Sequence, residues 1–508
     1  MRLTRVVSLA LSVVAIAAGA LAPRGGNGVD ASPASSRVRK NWEQLSSSER
    51  AVYLDAVGDA MQSGKHMTFT KIYMDANGLE RVRATCGAPA WYRKWLYGYE
   101  NMLRSLDKKY ADVTLPYWNF FHDSAKRMSS KSTCSDVQSC SNFLTDFGGS
   151  EGNDSVLPFM IDGEYIAGNC VESGIAQYGC TDTSGKNCEK CIPRGDWDID
   201  QSTFEFGASA FPEVLRHAAK SETPFETLRD SMQTRFHWNL HNLLGGVYET
   251  RAAAFDPIFT GHYAMVDLIY HLFQHCNKDT TMTGTCKSTD GQDIGPSSMI
   301  PMQLDGKAVE DHPDTAAYFT DVGTTFADLE DATNYEIDPF LEILLREFSG
   351  DRCTPKSAPS LNWAKTNSMV DTNVTEGFAH AMALCGNSTL TGNTSDEAPY
   401  TAVTCELMAR AQNGVFTNFS TPIRQTFKAP ASLLPSCIDI LAAVATNTIQ
   451  LSFSDECKTA ILKETGEETA NFVVKTNGFA VITRGLDGGI KYLKGLKSSS
   501  SSSATKTD

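Results

Sequence analysis

Apolar positions recur at helical spacing through much of the first half of the chain. Between residues 39 and 63 they fall at Trp42, Leu45, Ala51, Tyr53, Leu54, Val57 and Met61. This predicts an amphipathic helix with Ser47 or Ser48 as its N-cap. A second helix is predicted through Phe69, Ile72 and Tyr73. Residues 90–106 carry Trp91, Tyr92, Trp95, Tyr97 and Tyr99, and a helix this aromatic packs inside. Leu115-Pro116-Tyr117-Trp118-Asn119 then breaks direction. The helical pattern resumes over 222–248, 259–275 and 337–348.

Between these periodic segments lie irregular ones. Residues 124–205 hold six cysteines with much Gly, Ser and Asp, the pattern of a long disulfide-pinned insertion. Residues 277–325 are acidic and loop-like, and 350–490 carry short amphipathic helices over 378–385, 402–411 and 437–443, with a strand over 479–483. The expected organisation is a signal peptide (1–22), a linker (23–38), a main domain (39–345) containing the insertion, a smaller helical Cys-containing C-terminal domain (346–490) and a disordered Ser-rich tail (491–508). The fold class is mainly α.

Composition narrows the class of function. The chain has 508 residues, 41% hydrophobic, with a formal charge of −15, which argues against nucleic-acid binding. Arg2 and Arg5 precede an apolar run over 6–17 and the small residues Ala18, Gly19 and Ala20, as in a secretion signal cut near Ala20. No later stretch is long and apolar enough to span a bilayer. Fourteen cysteines fit an oxidising compartment, and five sequons (Asn153, Asn373, Asn387, Asn393 and Asn418) fit secretion and glycosylation. The Cys188-Glu-Lys-Cys191 spacing permits zinc or redox chemistry, but a Cys-rich secreted loop favours structural disulfides.

The candidate chemistry centres on His237 and His241, followed by Gly245-Gly246 and by Asp256-Pro257-Ile258-Phe259-Thr260-Gly261-His262-Tyr263 with Asp267. Two imidazoles four residues apart share one helix face and can bind one metal ion. A buried imidazole needs either a metal or a hydrogen-bond partner.

These stretches, with Trp91-Tyr92-Arg93 ending at Glu100 and Leu115-Pro116-Tyr117-Trp118, resemble the tyrosinase and polyphenol oxidase family over about residues 39–276. The resemblance implies a four-helix bundle on which six histidines hold two copper ions. Dioxygen binds between the ions and oxidises phenols to ortho-quinones, and the ligand such a protein takes is a phenolic small molecule. The sequence departs from that pattern at the ligands. Tyr73, Cys86 and Tyr92 stand in the three slots of the first copper site, with Cys86 alternatively matching a cysteine that many members crosslink to a histidine. In the second site His237 and His241 match the first two ligands, while Tyr263, beside His262, takes the third slot. Trp238 replaces an Asn that helps orient a deprotonating water.

Three readings follow: a pocket repacked as an aromatic hydrogen-bonded core, a single metal on His237, His241 and either Tyr263 or His262, or a working dinuclear oxidase. Copper as cofactor is thus one ion or none in the expected protein, a secreted binding or structural protein impaired in phenol oxidation. The alternative is an active copper phenol oxidase taking ortho-diphenols to ortho-quinones. Arg93, Glu100 and Asp267 match charged positions that brace the family's bundle, with Arg93 expected to pair with Asp267 or Glu100. His66 would serve as a ligand only under a different local alignment. His271 and His275 are expected at the surface or beside a disulfide, and His122 in a loop. His217, His312 and His380 stand alone.

Overall fold

The computed structural model describes residues 37–493 except 130–132, 135, 154–158, 198–210, 220–223, 278–285, 331–333, 350–380, 382–383, 386–388, 392–400, 403, 406–414, 446–448, 466–468, 476–478 and 486–489. The signal, most of the linker, the end of the tail, Cys353, His380 and the sequons at Asn373, Asn387 and Asn393 lie outside the described residues.

The first helical segment divides. Val38–Arg39 pairs as a short parallel strand with Asn334–Tyr335, Trp42–Gln44 forms one tight turn, and the helix itself runs Ser47–Gln62. Its N-cap is Ser46, upstream of the expected Ser47 or Ser48. The Ser46 side chain accepts from Glu49 N–H while the Glu49 carboxylate accepts from Ser46 N–H, satisfying donors at both positions. Arg37 and Val38, the last two residues of the expected linker, belong to this packed part, Arg37 being buried against Glu100.

Four helical segments then surround a common centre. They are Lys65–Met74, Ala88–Leu106, the run Phe225–Leu244 and Ile258–Cys276. The second carries Pro89 in its first turn, where a missing N–H costs nothing. It is buried around almost its whole circumference because every neighbour covers it. Trp95 stacks on Tyr99 at 5.0 Å and donates to the Phe69 carbonyl, and Phe319 lies over Gly98, where a Cβ would meet it at 2.2 Å. The third segment widens to a π-turn over Met232–His237 before resuming as Trp238–Leu244, a local rewinding often found at functional positions.

Buried charge braces the helices. Arg93 Nε lies 2.6 Å from Asp267, Arg39 bridges Asp267 and Glu100 at 3.2 and 3.3 Å, and Arg37 contacts Glu100 at 2.9 Å. Tyr335 donates to Asp267 at 2.7 Å and the Leu115 N–H to Glu100 at 2.9 Å. Buried ions persist only when matched in this way.

The 124–205 insertion is pinned by Cys134–Cys140, Cys170–Cys191 and Cys180–Cys188. The Cys188 and Cys191 pair is therefore split between two disulfides. Arg194 anchors the insertion to the bundle, holding Asp256 with two bonds at 2.7 and 2.9 Å. The insertion's first residues are helical, for Phe120–Met128 is a helix that buries His122 at 2% exposure. His122 is thus a core residue and not a loop residue.

Beyond the bundle, helix Pro339–Ser349 is followed by helices Thr421–Thr426, Ser436–Ala445 and Asp455–Thr465. This part is less purely helical than its short amphipathic patterns suggest. It holds a four-stranded sheet in which Val415–Thr417 pairs parallel with Thr469–Lys475, which pairs antiparallel with Phe479–Gly485, and that in turn with Ile490–Leu493. The expected strand over 479–483 lies inside the third of these, and the last one takes residues 491–493 out of the expected tail. The two outer strands are only three and four residues long, too short for an extended alternation to be read. Cys385–Cys457 and Cys405–Cys437 close this region.

Candidate functional site: a tyrosine-capped histidine pair

The Phe225–Leu244 run places His237 and His241 on its inner face, with ring centroids 4.5 Å apart and both rings buried. The Gly-Gly pair that follows is required by geometry. Gly245 and Gly246 adopt φ of 60° and 58°, and a Cβ on Gly246 would meet the Pro193 carbonyl at 2.5 Å. This turn brings the Tyr248 carbonyl back to His241 Nδ1 at 2.6 Å. A carbonyl only accepts, so His241 carries its proton on Nδ1 and presents a bare Nε2.

That Nε2 lies 2.9 Å from His237 Nε2, and the Tyr263 hydroxyl closes the group at 2.5 Å from His237 and 3.3 Å from His241. One proton arrangement satisfies the trio. His237 Nε2–H donates toward the bare His241 Nε2 and the Tyr263 oxygen, and the Tyr263 hydrogen is left for Tyr73 Oη or His241 Nε2, each at 3.3 Å. The atom left over is His237 Nδ1, a buried acceptor without a hydrogen-bond partner among the described residues. His262 has its ring 5.4 Å from that of His237 and 5.5 Å from that of His241, with Nδ1 on the Tyr248 hydroxyl at 2.8 Å and a buried Nε2 that has no hydrogen-bond partner among the described residues.

The other ligand slots are equally specific. Tyr73 and Tyr92 come from the Lys65–Met74 and Ala88–Leu106 helices and meet Tyr263 on the opposite side, Tyr92 with its ring 4.6 Å from that of Tyr263. Cys86 is bonded to Cys286. It is therefore neither a thiolate ligand nor a cysteine that crosslinks to a histidine. His66 has its own partners, Tyr99 and the Phe255 carbonyl at 2.8 and 2.9 Å.

Electrostatics keep the pocket neutral apart from one group. Burial, then the neighbouring His241, His262 and Arg83, hold His237 well below the usual imidazole range. His241 is pushed down to about 3, mainly by burial and further by Arg83, against the Tyr248 carbonyl. Burial, with Tyr73, Tyr92 and Tyr248 adding, raises the Tyr263 phenol well above its ordinary range. The exception is Arg83, whose guanidinium sits over the faces of Tyr73 and Phe427 at 5.6 and 5.5 Å.

Phe427 arrives from the C-terminal part. Its ring packs 4.9 Å from His241, 5.4 Å from His237 and stacked on Trp238 at 5.6 Å. The segment is held down by Ser420, which bonds Asn242 and Glu249, and by Thr426 on the Glu249 carbonyl. Arg83, Phe427 and Tyr248 are the site residues that the sequence patterns do not single out. Arg83 follows a helix of four residues like any surface arginine, and Phe427 lies about 190 positions from the histidines it covers.

The residues do not fit two copper ions. The first site lacks every imidazole, for its slots hold two phenols and a disulfide sulfur. In the second, donors around one tetrahedral ion would lie about 3.3 Å apart, whereas the Tyr263 to His237 contact is 2.5 Å. A ligating histidine also donates its other N–H to a partner, which His241 Nδ1 has and His237 Nδ1 lacks. Among the described residues, no three His, Cys, Asp or Glu side chains are disposed to hold a metal ion.

Residues 64–276 match the common central domain of tyrosinase. The chain is 26% identical over 267 residues to a tyrosinase of Streptomyces antibioticus, covering 47% of this chain and 82% of that protein. It is 22% identical over 270 residues to the grixazone synthase of Streptomyces griseus, covering 48% and 85%. It is also 22% identical over 272 residues to a tyrosinase-like protein, tyr-3, of Caenorhabditis elegans, covering 53% of this chain but only 36% of that one. The chain thus bears a distant relationship to the tyrosinase domain, with a tyrosinase-like helix bundle and an altered metal-binding cluster.

Proposed function

We propose that this is a secreted tyrosinase-family protein whose dinuclear copper centre has been replaced by a hydrogen-bonded aromatic core, and that it acts as a binding or structural protein and not as a phenol oxidase. The observation that carries this reading is the Tyr263 hydroxyl closed onto His237 and His241 at 2.5 and 3.3 Å. A phenol there meets the Nε2 atoms of both imidazoles without an ion. Dinuclear oxygen chemistry takes one electron from each of two coppers, and Tyr73, Cys86 and Tyr92 offer the first copper no imidazole. Phe427 over the same histidines supports a pocket closed by the C-terminal part. The six disulfides among the described residues support the secretory route.

A second reading has one specific support. His237 Nε2, His241 Nε2 and Tyr263 Oη converge on one point, so loss of the shared protons would leave a two-nitrogen, one-phenolate donor set for a single ion, copper being the family's choice. Metal analysis and a catechol oxidation assay on the copper-loaded full-length chain test both. The expected result is fewer than two coppers per chain and no ortho-quinone formation. Two coppers with steady quinone production would establish the active oxidase instead.

A further inference from the structure

Arg83 has no place in the functional reading above, yet its guanidinium lies against Tyr73, one of the tyrosines of the pocket. It lies directly after helix Leu79–Val82, where an extended backbone (φ −54°, ψ 132°) ends the helix. The residue is 9% exposed. Its Nε donates to Glu80 at 2.8 Å, and its plane lies over the rings of Tyr73 and Phe427. Its Nη1 is buried and has no hydrogen-bond partner among the described residues. The one carboxylate bonded to it among the described residues, Glu80, is partly exposed at the rim and is shared with Lys428 Nζ at 3.9 Å. The cationic end of the Arg83–Glu80 pair therefore lies inside, between a phenol from the first-copper side and the phenylalanine that covers the second, with its anionic end at the rim.

We propose that the Arg83 guanidinium is the resident cation of this pocket: it supplies beside Tyr73 the positive charge that a metal would bring, and it repels any ion approaching the His237–His241–Tyr263 trio. This rests on the reading that the dinuclear centre has been replaced. The physical basis is that a guanidinium is attracted to aromatic faces and phenol oxygens, while its repulsion of a second cation is only weakly screened away from water. The arginine and Tyr73 are complementary, since the tyrosine face standing in an imidazole's slot turns a metal-ligand position into a surface for an organic cation.

The test is Cu2+ titration of the full-length protein, followed by competition calorimetry and metal analysis, comparing wild type with Arg83→Met and Arg83→Lys. Arg83→Met keeps the bulk and loses the charge, and is expected to bind one Cu2+ at least tenfold more tightly than wild type. Arg83→Lys keeps the charge and is expected to stay near the wild-type affinity. Adding His241→Ala to Arg83→Met is expected to abolish the gain, which locates the ion at the trio. Equal affinity in wild type and Arg83→Met, or a gain in Arg83→Lys as large as in Arg83→Met, overturns the role of Arg83. If Arg83→Met does not fold, Arg83→Gln is judged by the same outcomes. Two coppers bound by the wild type would instead overturn the functional reading itself.

Discussion

The hydroxyl of Tyr263 lies 2.5 Å from Nε2 of His237, in a group closed by His241 and continued by Tyr73. One phenol oxygen thereby satisfies the inner face of a histidine pair on the neighbouring helix. Its removal should be felt in stability. Tyr263→Phe keeps the ring and leaves the imidazoles without that oxygen, so about 1–3 kcal/mol should be lost. Urea unfolding followed by tryptophan fluorescence measures it, and an unchanged midpoint would show that the hydroxyl contributes nothing. Tyr263→His should raise copper binding to one ion per chain while catechol oxidation stays absent, because Tyr73 and Tyr92 are untouched.

The buried histidines set a direction for pH. His66 is lowered from 6.5 to about 4 by burial and His241 to about 3, and His237 and His262 lie well below their ordinary range. The unfolded chain therefore takes up these protons first on acidification. Their contribution to stability is fully present above about pH 6.5 and is lost progressively as pH falls toward 4, by roughly 1.4 kcal/mol per histidine per pH unit. Melting temperature should drop steeply between pH 6.5 and 4.5. A flat profile over that window would mean that these imidazoles titrate as they do in water.

Phe427 couples the C-terminal part to the histidine face. Phe427→Ala should cost about 3 kcal/mol, as for a large-to-small change in a packed interior, and should loosen the segment that Ser420 and Thr426 hold on Glu249. Limited proteolysis should then cut near residue 428 faster than in wild type, with the Trp238 environment changed in near-ultraviolet circular dichroism. Proteolysis indistinguishable from wild type would show that the segment is held without Phe427.

Asp267 neutralises two buried arginines at once, Arg93 at 2.6 Å and Arg39 at 3.2 Å. Asp267→Asn keeps the shape and removes the charge, so about 3–5 kcal/mol should be lost. Expression yield and thermal unfolding read the effect. A loss under 1 kcal/mol would show that Glu100 alone can balance both guanidinium groups.

How much of this was legible in the chain depends on distance along it. The aromatic run at Trp91, Trp95 and Tyr99 shows a buried helix, because helical periodicity is local. His237 and His241 declare a shared face for the same reason. The sheet formed by Val415–Thr417, Thr469–Lys475, Phe479–Gly485 and Ile490–Leu493 was legible only at its third strand, because a strand's partners contribute nothing to its own periodicity. Cys86 was ambiguous until its partner, Cys286, was found 200 residues away.

The sequence by itself determined the helical segments and the histidine pair, since each is a matter of residue type and short spacing, and its resemblance to the tyrosinase family implied the bundle and put Tyr73, Cys86, Tyr92 and Tyr263 in the remaining ligand slots. Only the tertiary structure decided what those residues do to one another. It put the Tyr263 oxygen between two imidazoles, fixed the His241 tautomer through the Tyr248 carbonyl, and set Arg83 and Phe427 in the pocket. The physical reason is that hydrogen bonds and buried charge act over a few ångströms in space, whatever the number of residues between them in the chain.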